Sequence, residues 1–233
     1  MEIIIIKETE EILMIWKPQG YPITPTKINP ISFIQEIVRK KPELKDVQGY
    51  KENEYGLLNR IDNDTGGIVL IAKTNNAFIK YSRLMKEEKI LKIYLALSYN
   101  KSNKKKGIIS LPIAHHKKKK KKMVIADSNN EYRGNKQYCN TEFEKISEKK
   151  ARQLWIYYLG DKVKFPDIRN YLKGKDKNYS FIECKIKKGK RHQIRVHLSS
   201  IGYPIVGDRL YSSVDRKNKI DGLIKHHQLF SIG

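Results

Sequence analysis

Asn59-Arg60-Ile61-Asp62-Asn63-Asp64-Thr65-Gly66-Gly67 is followed directly by the apolar run Ile68-Val69-Leu70-Ile71-Ala72. A strand this apolar is normally buried, and a carboxylate beside it loses its water unless a cation pairs with it. The stretch therefore predicts a buried strand with two acids and a guanidinium at its entrance. A catalytic carboxylate is the functional interpretation, and a surface or capping ion pair is the alternative.

The composition limits the class of protein. The chain has 233 residues, 39% of them hydrophobic and spread along the sequence, so one or two domains with a real core are expected. Its 48 Lys and Arg against 25 Asp and Glu give a formal net charge of +23, which predicts a polyanionic partner, with nucleic acid favoured over a membrane. Cys139 and Cys184 lack the spacing of a zinc or disulfide framework, and no signal or membrane-spanning run is present, which indicates a cytoplasmic protein.

Hydrophobic spacing predicts both strands and helices. Residues 93–99 alternate, with Ile93 and Leu95 on one face and Tyr94 and Ala96 on the other, so the second face of this strand can line a cleft. Strands are predicted at residues 1–7, 12–16, 68–72, 93–99, 141–146, 154–159 and 181–186, and helices at residues 31–41, from 74 or 75 to about 85, and 194–201.

The order of these elements indicates the α+β class. Glycine-rich and lysine-rich loops interrupt the pattern, which argues against regular alternation of strand and helix. We predict a long, largely antiparallel mixed β-sheet with a few packed helices. Thr74 or Asn75 caps the clearest helix, and Gly202 suits the end of the last one.

A run of six lysines, residues 117–122, stands in the middle of the chain. Blocks of like charge resist packing, so we predict a lysine-rich loop over about residues 101–136. Two interpretations stay open for it, a solvated loop and an arm that grips phosphates. The candidate RNA contacts in this run are Lys117, Lys118, Lys119 and Lys120.

Four segments, in the same order along the chain, resemble motifs of the RluA family of pseudouridine synthases. Residues 17–20 resemble its lysine-proline-x-glycine turn, residues 60–67 its catalytic motif, residues 92–96 its lysine-x-tyrosine-x-alanine strand, and residues 189–208 its most recognisable segment. Residues 226–230 faintly resemble a later strand of the family. The chain is similar to the family over about residues 12 to 211.

The resemblance implies isomerisation of uridine in RNA to pseudouridine, without cofactor or metal. It implies that Asp62 is the essential carboxylate, that Arg195 pairs with it, and that Tyr94 packs against the target base and helps to move its proton. An arginine suits this pairing because it keeps its proton and binds a carboxylate with two hydrogen bonds. The implied fold is a bent sheet with a central catalytic cleft, in a single catalytic domain over residues 1–233 without a preceding S4 domain. A monomer is the default expectation.

Further residues receive roles by the same resemblance. The supports of the catalytic turn are Thr65, Gly66, Gly67 and Asp64, the last of which we expect to brace the turn through backbone amides. The expected RNA is ribosomal, transfer or both. Two alternatives stay open: a catalytically silent basic RNA-binding or ribosome-assembly protein, and a metal nuclease that uses Asp62 and Asp64 as ligands. Besides the lysine run, the candidate RNA contacts are Lys17, Arg60, Lys190, Arg191, His192 and Gln193.

Overall fold

The computed structural model describes residues 2–25, 31–166, 179–212 and 226–233. Strands and α-helices within these ranges are numbered here in chain order. They are β1 (Ile4–Glu8), β2 (Ile12–Lys17), α1 (Phe33–Lys40), β3 (Gly66–Ala72), α2 (Asn75–Lys86), β4 (Lys92–Tyr99), β5 (Lys106–Ile109), β6 (Ile113–His116), β7 (Met123–Ile125), β8 (Tyr132–Gln137), β9 (Thr141–Ile146), α3 (Glu148–Leu159), β10 (Tyr179–Ile186), α4 (Gln193–Ser200) and β11 (Leu229–Ser231).

Eight strands form one large sheet in the order β1-β2-β3-β11-β4-β10-β9-β5. Its neighbouring strands are antiparallel except for β11, which runs parallel to β3 where Phe230 and Ser231 meet Gly66 and Gly67. A smaller sheet has the order β7-β6-β8. The predicted α+β class with a large, mostly antiparallel mixed sheet is confirmed. The apolar run of residues 68–72 forms most of β3, near the centre of this sheet.

Strand β4 divides the core into two sides, because successive side chains of a strand point to opposite faces. Tyr94 and Ala96 pack on the side of α4, whereas Ile93 and Leu95 pack with Trp155 of α3 on the other side. The alternation read from the sequence is therefore confirmed. Helices α3 and α4 lie on opposite faces of the sheet, and the candidate site lies on the α4 face.

Helices α1, α2 and α4 lie where hydrophobic spacing predicts them. The hydroxyl of Thr74 accepts the Ala77 N–H at 3.1 Å and so caps α2, as predicted. Helix α4 ends just before Gly202, whose φ of +88° is the left-handed conformation that glycine adopts without strain.

The strand predicted at residues 154–159 is wrong, because this segment is the second half of α3. Ser147 caps the helix by accepting the Lys150 N–H, and the buried residues Ala151, Trp155 and Leu159 recur every fourth position. Only this period of four, continued upstream of residue 154, distinguishes the helix from a short apolar strand.

The predicted lysine-rich loop at residues 101–136 is also corrected, since β5, β6 and β7 and most of β8 lie within it. Strands β6 and β7 pair as a hairpin whose buried residues Ile113, Met123 and Ile125 pack against Val196 of α4. The six lysines form the turn between β6 and β7, closed by the His116 N–H donating to the Lys122 carbonyl at 3.0 Å. We call residues 113–125 the lysine hairpin.

Candidate active site

Asp62 and Arg195 meet at the base of a cleft. Asp62 lies on the loop that enters β3, and Arg195 lies in the first turn of α4. The Arg195 Nη1 donates to Asp62 Oδ2 at 2.8 Å. The Arg195 side chain is only 7% exposed, whereas the Asp62 side chain is 28% exposed to the cleft. The pairing predicted from the motifs is thus present, with the carboxylate on the open side.

A second carboxylate, Asp208, holds the other edge of the same guanidinium. Arg195 donates from Nε to Asp208 Oδ2 at 2.7 Å and from Nη2 to Asp208 Oδ1 at 2.9 Å. Oδ1 of Asp208 also accepts the N–H groups of Leu210 and Tyr211. Asp208 stands at the end of a family motif, but the motif alone predicts no role for it. Its position directly after an apolar segment, residues 203–207, is the signal that could have identified it as a buried acid.

The electrostatics of this triad keep its buried members charged. Burial by itself lowers the pKa of Arg195, but its hydrogen bonds and the charges of the two carboxylates raise the pKa above its usual value. Burial raises the pKa of Asp208, but Arg195 more than offsets this, so that the pKa is lowered overall. Arg195 is therefore a fixed cation for Asp62, and a guanidinium suits this place because it stays protonated.

Tyr94 lines the same cleft as Asp62 and Arg195. Its ring is buried on the α4 face of β4, and its hydroxyl is bonded to Ser231 of β11. Burial raises the pKa of Tyr94 to about 12, and the Ser231 bond opposes part of that shift. The phenol is protonated at neutral pH and forms an aromatic wall beside the carboxylate.

His192 is predicted to contact RNA and lies in the wall of the cleft, with Nε2 3.7 Å from Asp62 Oδ2. Its Nδ1 lies 2.8 Å from the hydroxyl of Tyr211, which accepts the Met123 N–H of the lysine hairpin. The Tyr211 hydrogen can go to Nδ1, which leaves the ring N–H of neutral His192 on the side of Asp62. The Tyr211 ring also lies 5.1 Å from the Arg195 guanidinium carbon. Tyr211 thus connects the lysine hairpin to the candidate active site, although its sequence position predicts no role for it.

The predictions that Lys17 and Gln193 contact RNA are wrong, because both side chains are buried. Lys17 Nζ donates to three carbonyl oxygens, one of them that of Asn63, at 2.8 to 2.9 Å. Burial lowers the pKa of Lys17 to about 7, against the charges of Asp64 and Asp62. The Gln193 amide donates to the Asn140 carbonyl and the Thr141 hydroxyl. Both side chains hold loops in place.

The turn around Asp62 is held by β11 and by two histidines that precede it. Asp64 Oδ1 lies 2.9 Å from His226 Nδ1, so this acid pairs with a histidine instead of bracing the turn through amides as predicted. Thr65 Oγ1 lies 2.8 Å from His227 Nε2. Gly67 has a φ of +140°, and a Cβ there would collide with the Ser231 backbone. These contacts are consistent with the supporting roles predicted for Thr65, Gly66 and Gly67.

The cleft has a volume of about 970 Å³ and a basic rim. Arg60 is 60% exposed and lies 3.6 Å from Glu54, and Lys190 and Arg191 line the same cleft. Lys121 of the lysine hairpin also lines the cleft, whereas Lys117, Lys118, Lys119 and Lys120 lie in the exposed turn beyond it.

The described residues contain no group of three or more His, Cys, Asp and Glu side chains arranged to hold a metal ion. The two acids of the nuclease alternative point to different partners, Arg195 for Asp62 and His226 for Asp64. Nor does any helix in these ranges have the length and apolar character needed to cross a membrane.

Two buried histidines predict a characteristic acid sensitivity. Burial lowers the pKa of His192 to about 4, and burial together with the Arg195 charge lowers that of His227 to about 4. Between about pH 4 and 6.5 the unfolded chain therefore binds more protons, so we expect the free energy of unfolding to fall as the pH falls through this window. Urea unfolding at several pH values measures the slope of the free energy of unfolding against pH. His227→Gln should reduce the slope by up to about 1.4 kcal/mol per pH unit, and an unchanged slope would contradict the assignment.

The large mixed sheet, the cleft and the arginine-bound aspartate define a class: a basic α+β protein with an anionic side chain at the base of a nucleotide-sized cleft. A family model described as RNA pseudouridylate synthase matches residues 11–200. The chain belongs to this family, and the predicted relationship to its RluA branch is confirmed.

Individual relatives agree with the family assignment. The chain is 27% identical over 230 residues to a protein of Synechocystis named as an uncharacterized RNA pseudouridine synthase, covering 97% of this chain and 60% of that protein. It is 26% identical over 208 residues to the ribosomal large subunit pseudouridine synthase D of Nitrosomonas europaea, covering 89% of this chain and 49% of that protein. The chain thus spans about half to three fifths of the length of these relatives.

The fold is shared with a solved structure. Human RNA pseudouridylate synthase domain containing 1 superposes with a TM-score of 0.68 and 20% sequence identity, over 99% of this chain and 76% of that one. The predicted pseudouridine synthase fold is therefore confirmed.

Proposed function

We propose that this chain isomerises uridines in structured RNA to pseudouridine. The observation that carries the proposal is the Asp62 carboxylate, held at 2.8 Å by the buried Arg195 and facing a cleft walled by Tyr94. A carboxylate fixed in this way is suited to act on a sugar as nucleophile or base, since its partner cation cannot lose its proton at neutral pH.

We assign different roles to the two carboxylate oxygens of Asp62. Oδ2 accepts from Arg195 and faces His192, while Oδ1 accepts no hydrogen bond from any of the described residues. Oδ1 is thus the oxygen we assign to the ribose. The bond between N1 of uracil and C1′ breaks, the base turns, a bond forms between C5 and C1′, and the C5 proton is lost while N1 gains one. The reaction is balanced as an isomerisation and needs no co-substrate.

The target uridine must leave its stack to reach Asp62. Enzymes that act on a base in folded nucleic acid flip it into a pocket, and an aromatic side chain replaces part of the lost stacking. Tyr94 is in the position to do so, and the exposed Arg60 and Arg191 on the rim can hold phosphates without reading sequence. His192 also lines the cleft, and its Nδ1 lies 2.8 Å from the hydroxyl of Tyr211.

Ribosomal or transfer RNA is the proposed substrate. A relative named ribosomal large subunit pseudouridine synthase D supports large-subunit ribosomal RNA as the first RNA to test. We further propose that the chain acts as a monomer in the cytoplasm, without cofactor or metal.

The test uses an unmodified large-subunit ribosomal RNA transcript with tritium at C5 of uridine. The bond that forms at C5 expels this hydrogen, so tritium release into water together with pseudouridine in the digested RNA supports the proposal. Binding of the transcript without release favours the silent RNA-binding alternative. Strand cleavage that is lost in excess chelator favours the metal nuclease.

The lysine hairpin is proposed as a phosphate-binding arm, because Lys121 lines the catalytic cleft and Lys122 Nζ lies 5.7 Å from the centre of the Tyr211 ring. We expect the double change Lys118→Gln and Lys119→Gln to weaken transcript binding. It should also reduce the slope of log affinity against log salt by about 1.5, since each lost phosphate contact removes roughly 0.7 to 0.9.

Filter binding at several salt concentrations measures this slope. The matched control is Lys149→Gln with Lys164→Gln, two exposed lysines in and just beyond α3, the helix on the opposite face of the sheet. Equal slopes for the hairpin variant and the unaltered chain would show that the hairpin is only a solvated turn.

A further inference from the structure

Tyr50 is an exposed aromatic residue in the wall of the catalytic cleft. Its side chain is 58% exposed, and it lines the same cleft as Asp62 and Tyr94. Tyr138 and Tyr157 are also exposed, at 73% and 79%, but neither lines this cleft. Tyr50 therefore differs from these two surface tyrosines because it lines the cleft. Its ring has no role in the chemistry assigned to Asp62.

The loop that carries Tyr50 is firmly held. The Gly56 N–H donates to the Gln48 carbonyl at 3.0 Å, which closes the loop. Inside it, the Lys51 N–H donates to the buried carboxylate of Glu54 at 3.1 Å. The Tyr50 ring packs against Phe78 of α2, with ring centres 5.1 Å apart and planes at 62°. An edge contact of this kind fixes the orientation of the ring.

The same loop is connected to the catalytic turn. Glu54 Oε1 lies 3.6 Å from Nη1 of Arg60, two residues before Asp62. The loop is also joined to the sheet, since the Ala72 N–H at the end of β3 donates to the Gly56 carbonyl at 2.8 Å. The position of Tyr50 relative to the carboxylate is thus set by the fold and is available before any RNA binds.

We propose that Tyr50 is a stacking platform for a nucleobase that flanks the target uridine, an inference that rests on the proposed function. Single-stranded RNA is bound by grooves that combine basic side chains with aromatic rings, because every base has a face that can stack. Lys51 and Arg60 line the same cleft as Tyr50 and provide the positive charge. A preorganised ring loses little side-chain freedom when a base stacks on it.

The experiment compares Tyr50→Ala and Tyr50→Phe with the matched control Tyr157→Ala. Tyr157 is exposed and packs edge-on against another ring, Tyr158, at 4.8 Å, but it lies on α3, on the opposite face of the sheet. Tyr50→Ala should weaken affinity for the large-subunit transcript, and raise KM, by about 5- to 100-fold. The saturated rate kcat should change less than about twofold. Tyr50→Phe keeps the stacking face and should bind as the unaltered chain does.

A second arm identifies the stacked base. Abasic nucleotides are placed one at a time in a short oligonucleotide that spans the modified uridine. One flanking position should weaken binding of the unaltered chain but not of Tyr50→Ala. Affinity is measured by filter binding, so the test of the Tyr50 platform does not depend on catalysis. Absence of tritium release would refute the proposed function but not the platform. Equal affinities for Tyr50→Ala and the unaltered chain, or equal losses in Tyr157→Ala, would overturn the platform.

Discussion

Asp62→Asn is expected to abolish pseudouridine formation, with a loss of rate of about 10⁴-fold or more, the scale seen when an enzyme loses its nucleophile. The amide has the shape of the carboxylate, and its oxygen can still accept the hydrogen bond from Arg195. It carries no charge, however, and can act neither as a nucleophile nor as a base at the sugar. Release of tritium from the labelled transcript measures the loss.

The matched control for this variant is Asp161→Asn. Asp161 is exposed in the short helical turn after α3, on the side of the sheet opposite the cleft. It undergoes the same chemical change and should keep full activity. RNA affinity at fixed salt should be nearly equal in both variants and the unaltered chain, because Asp62 contributes no positive charge to binding. Retained isomerisation in Asp62→Asn would refute the assignment of Asp62 as the reacting group.

Asp208→Asn is expected to lower the free energy of unfolding by about 3 to 5 kcal/mol, since it removes one partner of a buried ion pair. Asp208 is fully buried, and both its oxygens accept hydrogen bonds from Arg195. Among the described residues, the variant leaves the buried guanidinium with Asp62 as its one remaining carboxylate partner, and a carboxamide cannot offer two acceptors to it. Urea unfolding followed by circular dichroism measures the loss.

The pH dependence of this effect has a definite sign. The pKa of Asp208 is lower in the folded protein than its ordinary value of 3.8, so its stabilising contribution is present above about pH 4 and is lost as the pH falls below it. The difference in stability between the unaltered chain and Asp208→Asn should therefore shrink in that range. A difference that stays constant down to pH 2 would contradict the charged pair.

A double variant separates stability from catalysis. Arg195→Met with Asp208→Leu replaces the buried pair by apolar side chains, which is often neutral for stability. It should be more stable than Asp208→Asn, yet inactive, because Asp62 has lost its cation. Activity in this double variant would show that Arg195 is not required.

The predictable parts of the fold are those whose signals are local. The alternation of residues 93–99 and the cap at Thr74 specify β4 and α2 without reference to any other segment. Local signals do not identify helix α3, because residues 154–159, taken alone, are equally compatible with a strand, and Ile156 is apolar but exposed. Local signals do not identify the lysine hairpin either, because the charge of its turn dominates a segment with two short strands, whose few apolar residues pack on α4.

The candidate site also contains residues that sequence motifs predict and residues whose surroundings depend on packing. Asp62, Tyr94 and Arg195 come from three separate motifs, and the structure brings them into one cleft. Lys17 is a basic residue in a recognisable turn, and its type alone predicts an RNA contact. Its ammonium group instead lies under the catalytic turn, bound to carbonyls. The type of a residue does not show whether it faces water.

The amino-acid sequence alone indicates the family and the class of fold and predicts the candidate catalytic residues, because these depend on residue types in a fixed order and on local hydrophobic periods. Only the packing of the folded chain shows which charges are buried and with which groups they pair. It placed Asp208 behind Arg195, His227 against Thr65, and Tyr50 on the wall of the cleft. These relations arise where segments distant in the chain pack together, and the desolvation and pairing of a side chain are properties of that packing.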